Sequence, residues 1–76
     1  MKQLVSHLAR GLVREPGRVR VHEHVQDGRH VIELSVAPAD RGRVIGREGR
    51  AANAMRTRLD ALARRRGGSC ALEVLD

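Results

Sequence analysis

The sequence has 76 residues, one cysteine and a formal charge of +6, with fourteen of its fifteen cations arginine. A chain this short carries one thin core, and with Cys70 alone it holds neither an internal disulfide nor a Cys/His zinc staple. The arginine surplus points to a polyanion, nucleic acid first, although arginines also simply solvate surfaces; the lack of Phe, Tyr and Trp excludes RRM and cold-shock modules that stack bases on aromatic rings.

Arg10 and Arg14 interrupt the first apolar run, so nothing there reads as a signal peptide. No apolar segment nears the roughly 20 residues needed to span a bilayer. The expectation is a cytoplasmic chain with no membrane partner. From Lys2 to Arg14, Leu4, Val5, Leu8 and Leu12 recur at helical spacing, and Pro16-Gly17 ends the segment. This predicts a packing helix with no chemistry of its own.

Arg18 to Val25 alternates, with Val19, Val21 and Val25 on one face and Arg18, Arg20, His22 and His24 on the other. Asp27-Gly28 is a favoured centre for a type I′ hairpin turn. The run from His30 to Ala37 then alternates again through Ile32, Leu34 and Val36. With a two-residue loop, Val25 faces His30, Val21 faces Leu34 and Val19 faces Val36, so the apolar sets share one face. Glu23 breaks the pattern and is expected near an edge. His22 and His24 share a face while His30 points to the other, which argues against a metal site. His22 opposite Glu33 reads as a surface cross-strand pair.

Pro38 suits the first position of a helix, and Asp40 the positive end of its dipole. That helix must be short, because Arg41 to Arg50 reads R-G-R-V-I-G-R-E-G-R. Glycines at both ends of the Gly46-Arg47-Glu48-Gly49 turn permit backbone angles closed to other residues. Amides pointing outward at the start of the next helix make a pocket for a phosphate, and Arg47 and Arg50 put cations beside it. Gly42, bracketed by Arg41 and Arg43, removes a side chain one turn earlier, so a ligand backbone could pass close; its blander reading is a fraying helix end. Glu48 either repels that phosphate or is neutralised by an arginine such as Arg43 or Arg50, and the sequence leaves both open.

A long helix is predicted from Arg50 to Arg65, with Ala52, Met55, Leu59 and Leu62 as its buried stripe, widened by Ala51 and Ala63. Arg64-Arg65-Arg66-Gly67-Gly68-Ser69 is a basic loop. Ser69 to Leu75 alternates as a last strand, with Cys70, Leu72 and Val74 inward and Cys70 as a small buried hydrophobe. The glycine turn lacks the Lys-Ser or Lys-Thr of a Walker motif, and no paired carboxylates or Ser/His/Asp arrangement is found. No enzyme, cofactor or metal is expected.

The order helix–strand–strand–helix–G-x-x-G–helix–strand resembles the prokaryotic, type II KH domain. The stretch V-A-P-A-D-R-G-R-V-I-G-R-E-G-R-A-A-N-A-M-R resembles the small bacterial single-KH proteins of the KhpA family, and the likeness runs along essentially all 76 residues. It implies one α+β domain over residues 1–76, α-β-β-α-α-β, whose three-stranded mixed sheet carries its helices on one face. It also implies single-stranded RNA as ligand and work as an RNA chaperone or post-transcriptional regulator. Partners implied are a second copy, in a homodimer, or a larger multidomain KH protein of the Jag/KhpB type, with a link to cell shape and division. Carried over by position, Gly46, Arg47, Glu48 and Gly49 are the clamp, supported by Val44 and Ile45. Gly42, Arg43, Arg50 and Ala51 border the groove. The loop through Arg64, Arg65 and Arg66 to Ser69 matches the variable loop that closes the opposite side. The alternative is a KH-fold adaptor that docks a protein partner in a cell-shape or division complex and binds little RNA.

Overall fold

Two alternating runs around Asp27-Gly28 form the hairpin that the rest of the chain covers. The computed structural model describes residues 1–75, and β1 (Arg20–Gln26) pairs antiparallel with β2 (Arg29–Ser35). Asp27 at φ 52° and Gly28 at φ 76° are both left-handed, as a type I′ turn demands. The register is the expected one, with Val21 opposite Leu34 and Val25 opposite His30. β3 (Ser69–Val74) adds parallel to β2, giving the order β1-β2-β3. A parallel neighbour needs a long crossover, which α2 (Arg41–Ile45) and α3 (Arg50–Arg65) supply. With α1 (Lys2–Leu12) ahead of the hairpin, the chain has the predicted α+β order and a mixed sheet.

The core lies between one sheet face and the helices. Val21, Ile32, Leu34 and Leu72 from the strands meet Val5 and Ala9 of α1, Val44 of α2, and Met55 and Leu59 of α3. Each large aliphatic side chain buried there contributes about 1.5–3 kcal/mol. On α3, Ala63 completes the buried stripe while Leu62 is only half-buried.

Several expected boundaries and faces shift. α1 stops at Leu12 and β1 starts at Arg20, because Pro16–Arg18 closes a 3₁₀ turn in which Arg18 N–H donates to the Glu15 carbonyl and Val19 N–H to that of Pro16. β2 ends at Ser35, short of Ala37, as Pro38 opens a second 3₁₀ turn. α1 presents Val5 and Ala9 to the sheet, leaving Leu12 39% exposed. Leu8 and Leu12 instead line, with Ala51, Ala54, Met55 and Arg58, an apolar depression of about 200 Å³ between α1 and α3. Val25, expected inward, is 61% exposed, because it stands next to the Asp27-Gly28 turn, beyond Val21, the one buried residue of β1.

Polar residues of the sheet sort by face. His22 opposes Glu33 as expected, but the closest approach to that carboxylate is diagonal, from His24 Nδ1 at 4.0 Å. Glu23, on edge strand β1, lies toward the helices, where its Oε2 is 2.9 Å from His30 Nδ1. Burial pushes the Glu23 carboxyl up, but the His30 hydrogen bond and the N-terminal ammonium outweigh it and hold the group below its ordinary value. Burial pushes the Cys70 thiol up, as befits a packing residue. Among the described residues, no three His, Cys, Asp or Glu side chains gather as a metal site, and no helix is long and apolar enough to cross a membrane.

Candidate nucleic-acid interface

The site begins with a buried carboxylate. Asp40 is 2% exposed and receives two backbone amides from the loop after α1: Arg14 N–H on Oδ1 and Glu15 N–H on Oδ2, each at 3.1 Å. Arg43 Nε stands 3.5 Å from the same Oδ1. The carboxylate expected to serve its own helix dipole thus ties α2 to the N-terminal third of the chain. Val44, fully buried, pins α2 to the core and leaves its neighbour Ile45 37% exposed at the brink of the turn.

The turn itself is built from unusual backbone. Gly46 has φ 78° and ψ 169°, a region essentially restricted to glycine. A Cβ there would also fall 2.8 Å from both the Cβ and the N of Ala51. Gly46 N–H donates to the Gly42 carbonyl at 2.8 Å and Gly49 N–H to the Gly46 carbonyl at 3.1 Å, which fixes the loop. Glu48 (φ 55°, ψ 26°) and Gly49 (φ 75°, ψ 12°) are left-handed. A helical Arg47 followed by a left-handed Glu48 is the backbone pattern that turns successive amides into an anion-binding concavity.

α3 starts from this turn with no side-chain cap and no acidic residue in its first turn. Arg50, at its first position, adds a cation to the positive end of the helix dipole. For an isolated helix both choices are unfavourable. An incoming phosphate would satisfy the first amides and offset the charge, which is the chemistry the arrangement suits. Glu48 Oε2 lies 3.5 Å from Arg50 Nη2, both side chains more than 70% exposed, while Arg43 is engaged by Asp40. The Glu48 pair is therefore a surface contact of at most about 1 kcal/mol, easily broken by a competing phosphate.

The structure brings one group of the predicted residues together and leaves another apart. Gly42, Arg43, Ile45, Arg47, Glu48 and Arg50 are exposed around the turn, while Val44 is buried and Ala51 half-buried beneath Gly46. A Cβ on Gly42 would meet nothing within 4 Å, so that flank is open. Arg64, Arg65 and Arg66 are exposed at the far end of α3, whose length is about 24 Å. There Gly68 N–H donates to the Ala63 carbonyl and Gly67 N–H to that of Arg64, with Gly67 at φ 75°, a Schellman cap. The arginines favour the negative end of the helix dipole, and the loop packs against the hairpin turn, where a Cβ on Gly68 would sit 3.2 Å from the Gly28 carbonyl.

Two residues beside the turn escaped the sequence reading. Arg56 Nη1 donates to Asn53 Oδ1 at 3.1 Å and Nη2 to the Leu72 carbonyl of β3 at 3.3 Å. Asn53 Nδ2 lies 3.7 Å from where a Gly49 Cβ would be. The signal was available in the spacing: 49, 53 and 56 fall on one face of the helix.

A family model described as the KhpA/KhpB KH domain matches residues 2–74, a span that includes the turn and all three helices. The chain belongs to this family. Full-length relatives agree with the assignment. The chain is 47% identical to a protein named RNA-binding protein KhpA in Halalkalibacterium halodurans, the match covering all of both chains. It is 43% identical to the protein of that name in Aquifex aeolicus, over all of this chain and 96% of the relative. With the one from Treponema pallidum the identity is 41%, over 99% and 94% of the two chains. The three-stranded sheet with β3 parallel to β2 is accordingly a KH sheet, and the G-x-x-G turn lies between its two crossover helices.

Proposed function

We propose that the chain binds single-stranded RNA through the Gly46–Gly49 turn and serves in the cytoplasm as an RNA chaperone or post-transcriptional regulator, without catalysis. One observation carries this reading. α3 opens on a glycine turn with no capping side chain, no acid in its first turn, and Arg47 and Arg50 exposed beside it. The relatives named as RNA-binding proteins support it. KH grooves of this kind hold about four nucleotides, with backbone contacts at the turn and bases against aliphatic walls.

A single groove without aromatic stacking binds weakly, and a homodimer would raise affinity by holding two clamps on one strand. Light scattering at about tens of micromolar should then find more than the 8.4 kDa monomer. A larger multidomain KH protein of the KhpB type is the proposed hetero-partner, a pairing supported by the joint family name. Cell shape and division would be the processes served.

The test is the double variant Arg47→Asp with Glu48→Asp. Both side chains are exposed and aspartate tolerates the left-handed backbone at position 48, so the circular dichroism spectrum should not change. Affinity for a fluorescent single strand should nearly vanish. Undiminished binding by the folded variant would remove the turn as the site.

A further inference from the structure

The clamp fixes a backbone, and phosphate contacts carry no sequence information. Base selection must come from elsewhere, and beside aliphatic walls that any base can touch, hydrogen bonds to base edges are the most discriminating contact left without aromatic rings. Asn53 and Arg56 are the polar side chains placed for it. They lie on the side of α3 that faces β3, about 6 and 10 Å along the helix from Gly49, within reach of a tetranucleotide held at the turn. Their orientation is chemically fixed, because Arg56 can only donate: the Asn53 oxygen must face the guanidinium, and its NH₂ must face away.

The count of free groups then decides what the pair can recognise. Arg56 has five N–H donors, of which one goes to Asn53 Oδ1 and one to the Leu72 carbonyl. Three remain, joined by the two N–H of Asn53. The surface is dominated by donors. A base edge with two adjacent acceptors fits it, as in cytosine (N3 and O2) or guanine (O6 and N7). Adenine sets its amino group beside N1 and N7 and leaves N3 as a lone acceptor, and uracil sets N3–H between its two oxygens, so neither offers two adjacent acceptors. Arginine's planar fork gives the bidentate geometry that lysine lacks.

We propose that Asn53 and Arg56 read a base edge in this interface and select cytosine or guanine over adenine and uracil, a reading that rests on RNA binding at the adjacent turn. The Leu72 carbonyl holds Arg56 in place from the edge strand, so the sheet serves as the backstop for the reading pair.

The experiment uses fluorescence anisotropy with the full chain and four probes. One is an eight-nucleotide uridine strand; the others carry cytidine, guanosine or adenosine at two central positions. The cytidine and guanosine strands should bind roughly tenfold tighter than the other two. Arg56→Lys, which keeps the charge, should bring all four to one weaker affinity. Arg56→Gln should do the same while the clamp still binds. Equal binding of all four strands by the wild type would overturn the proposal and leave the clamp standing. So would an Arg56→Lys or Arg56→Gln chain that keeps the order of preference, or that melts earlier with every affinity unchanged, since Arg56 would then only staple α3 to β3. If no strand binds the wild type at all, RNA binding itself falls, and the base reading with it.

Discussion

Gly46→Ala is the substitution that tests the geometry of the turn most directly. Two independent penalties meet at that position. A non-glycine residue at φ 78°, ψ 169° is strained by about 1–3 kcal/mol. The new methyl group would also stand 2.8 Å from the Ala51 Cβ and backbone N, and forcing a methyl into packed structure costs about 1–3 kcal/mol. Partial relaxation shares these, so about 3 kcal/mol is expected in total. A chain of this length has only about 4–11 kcal/mol of stability, so the loss is a large fraction of it. In a thermal melt followed by circular dichroism, the midpoint should fall by about 15 °C. Gly49→Ala provides the internal control. Its φ of 75° and ψ of 12° are left-handed but tolerable, and its Cβ would meet only Asn53 Nδ2 at 3.7 Å, so about 1 kcal/mol and about 5 °C are expected. If Gly46→Ala proved no worse than Gly49→Ala, the close approach of the turn to α3 would not be what demands glycine at position 46.

Asp40→Ala should lose about 2–5 kcal/mol, because two loop amides are left without their acceptor, whereas Asp40→Asn keeps one oxygen and should lose less; urea titrations giving equal losses would contradict this. The depressed Glu23 carboxyl contributes stability that is complete above its ordinary pKa near 4.5 and disappears as the pH falls through the lower folded value, so Glu23→Gln should flatten the acid limb of the stability curve below about pH 4.5. An acid limb unchanged in that variant would mean that other carboxylates set it. If four phosphates of a single strand are neutralised, log affinity against log salt should have a slope of about −3. Replacing Arg64, Arg65 and Arg66 with Gln should shallow that slope and weaken every strand alike, and a changed order of preference would place them among the base contacts instead.

Much of this molecule is legible before it is seen folded. The hairpin register follows from period-two alternation and from a turn that needs two left-handed residues, which Asp27 and Gly28 supply. α3 spans the predicted Arg50 to Arg65, because its glycine turn and Gly67-Gly68 cap punctuate it on both sides. The family likeness is carried by the same punctuation. What periodicity cannot give is the rotation of α1: its stripe is wide enough to offer either Val5 and Ala9 or Leu8 and Leu12 to the sheet, and tertiary packing chooses the smaller pair. Nor does it give long-range polar partners. Asp40 reads locally as a dipole companion, and nothing near it names amides 25 and 26 residues upstream. Arg56 likewise reads as one more solvated arginine until β3 is in place beside it.

The Asp40 contact also decides what solvent deuterium would report. Arg14 and Glu15 are exposed, carry charged side chains and lie in an irregular loop, where amide protons ordinarily exchange almost at once. Their N–H groups, however, end on a carboxylate sealed in the interior, so their protons can leave only when that contact opens. Both should exchange slowly and together, at a rate set by the detachment of α2 rather than by motion of the loop. Two slow amides in an otherwise fast loop would thus serve as a built-in gauge of how often α2 and its glycine turn come loose from the N-terminal third of the chain.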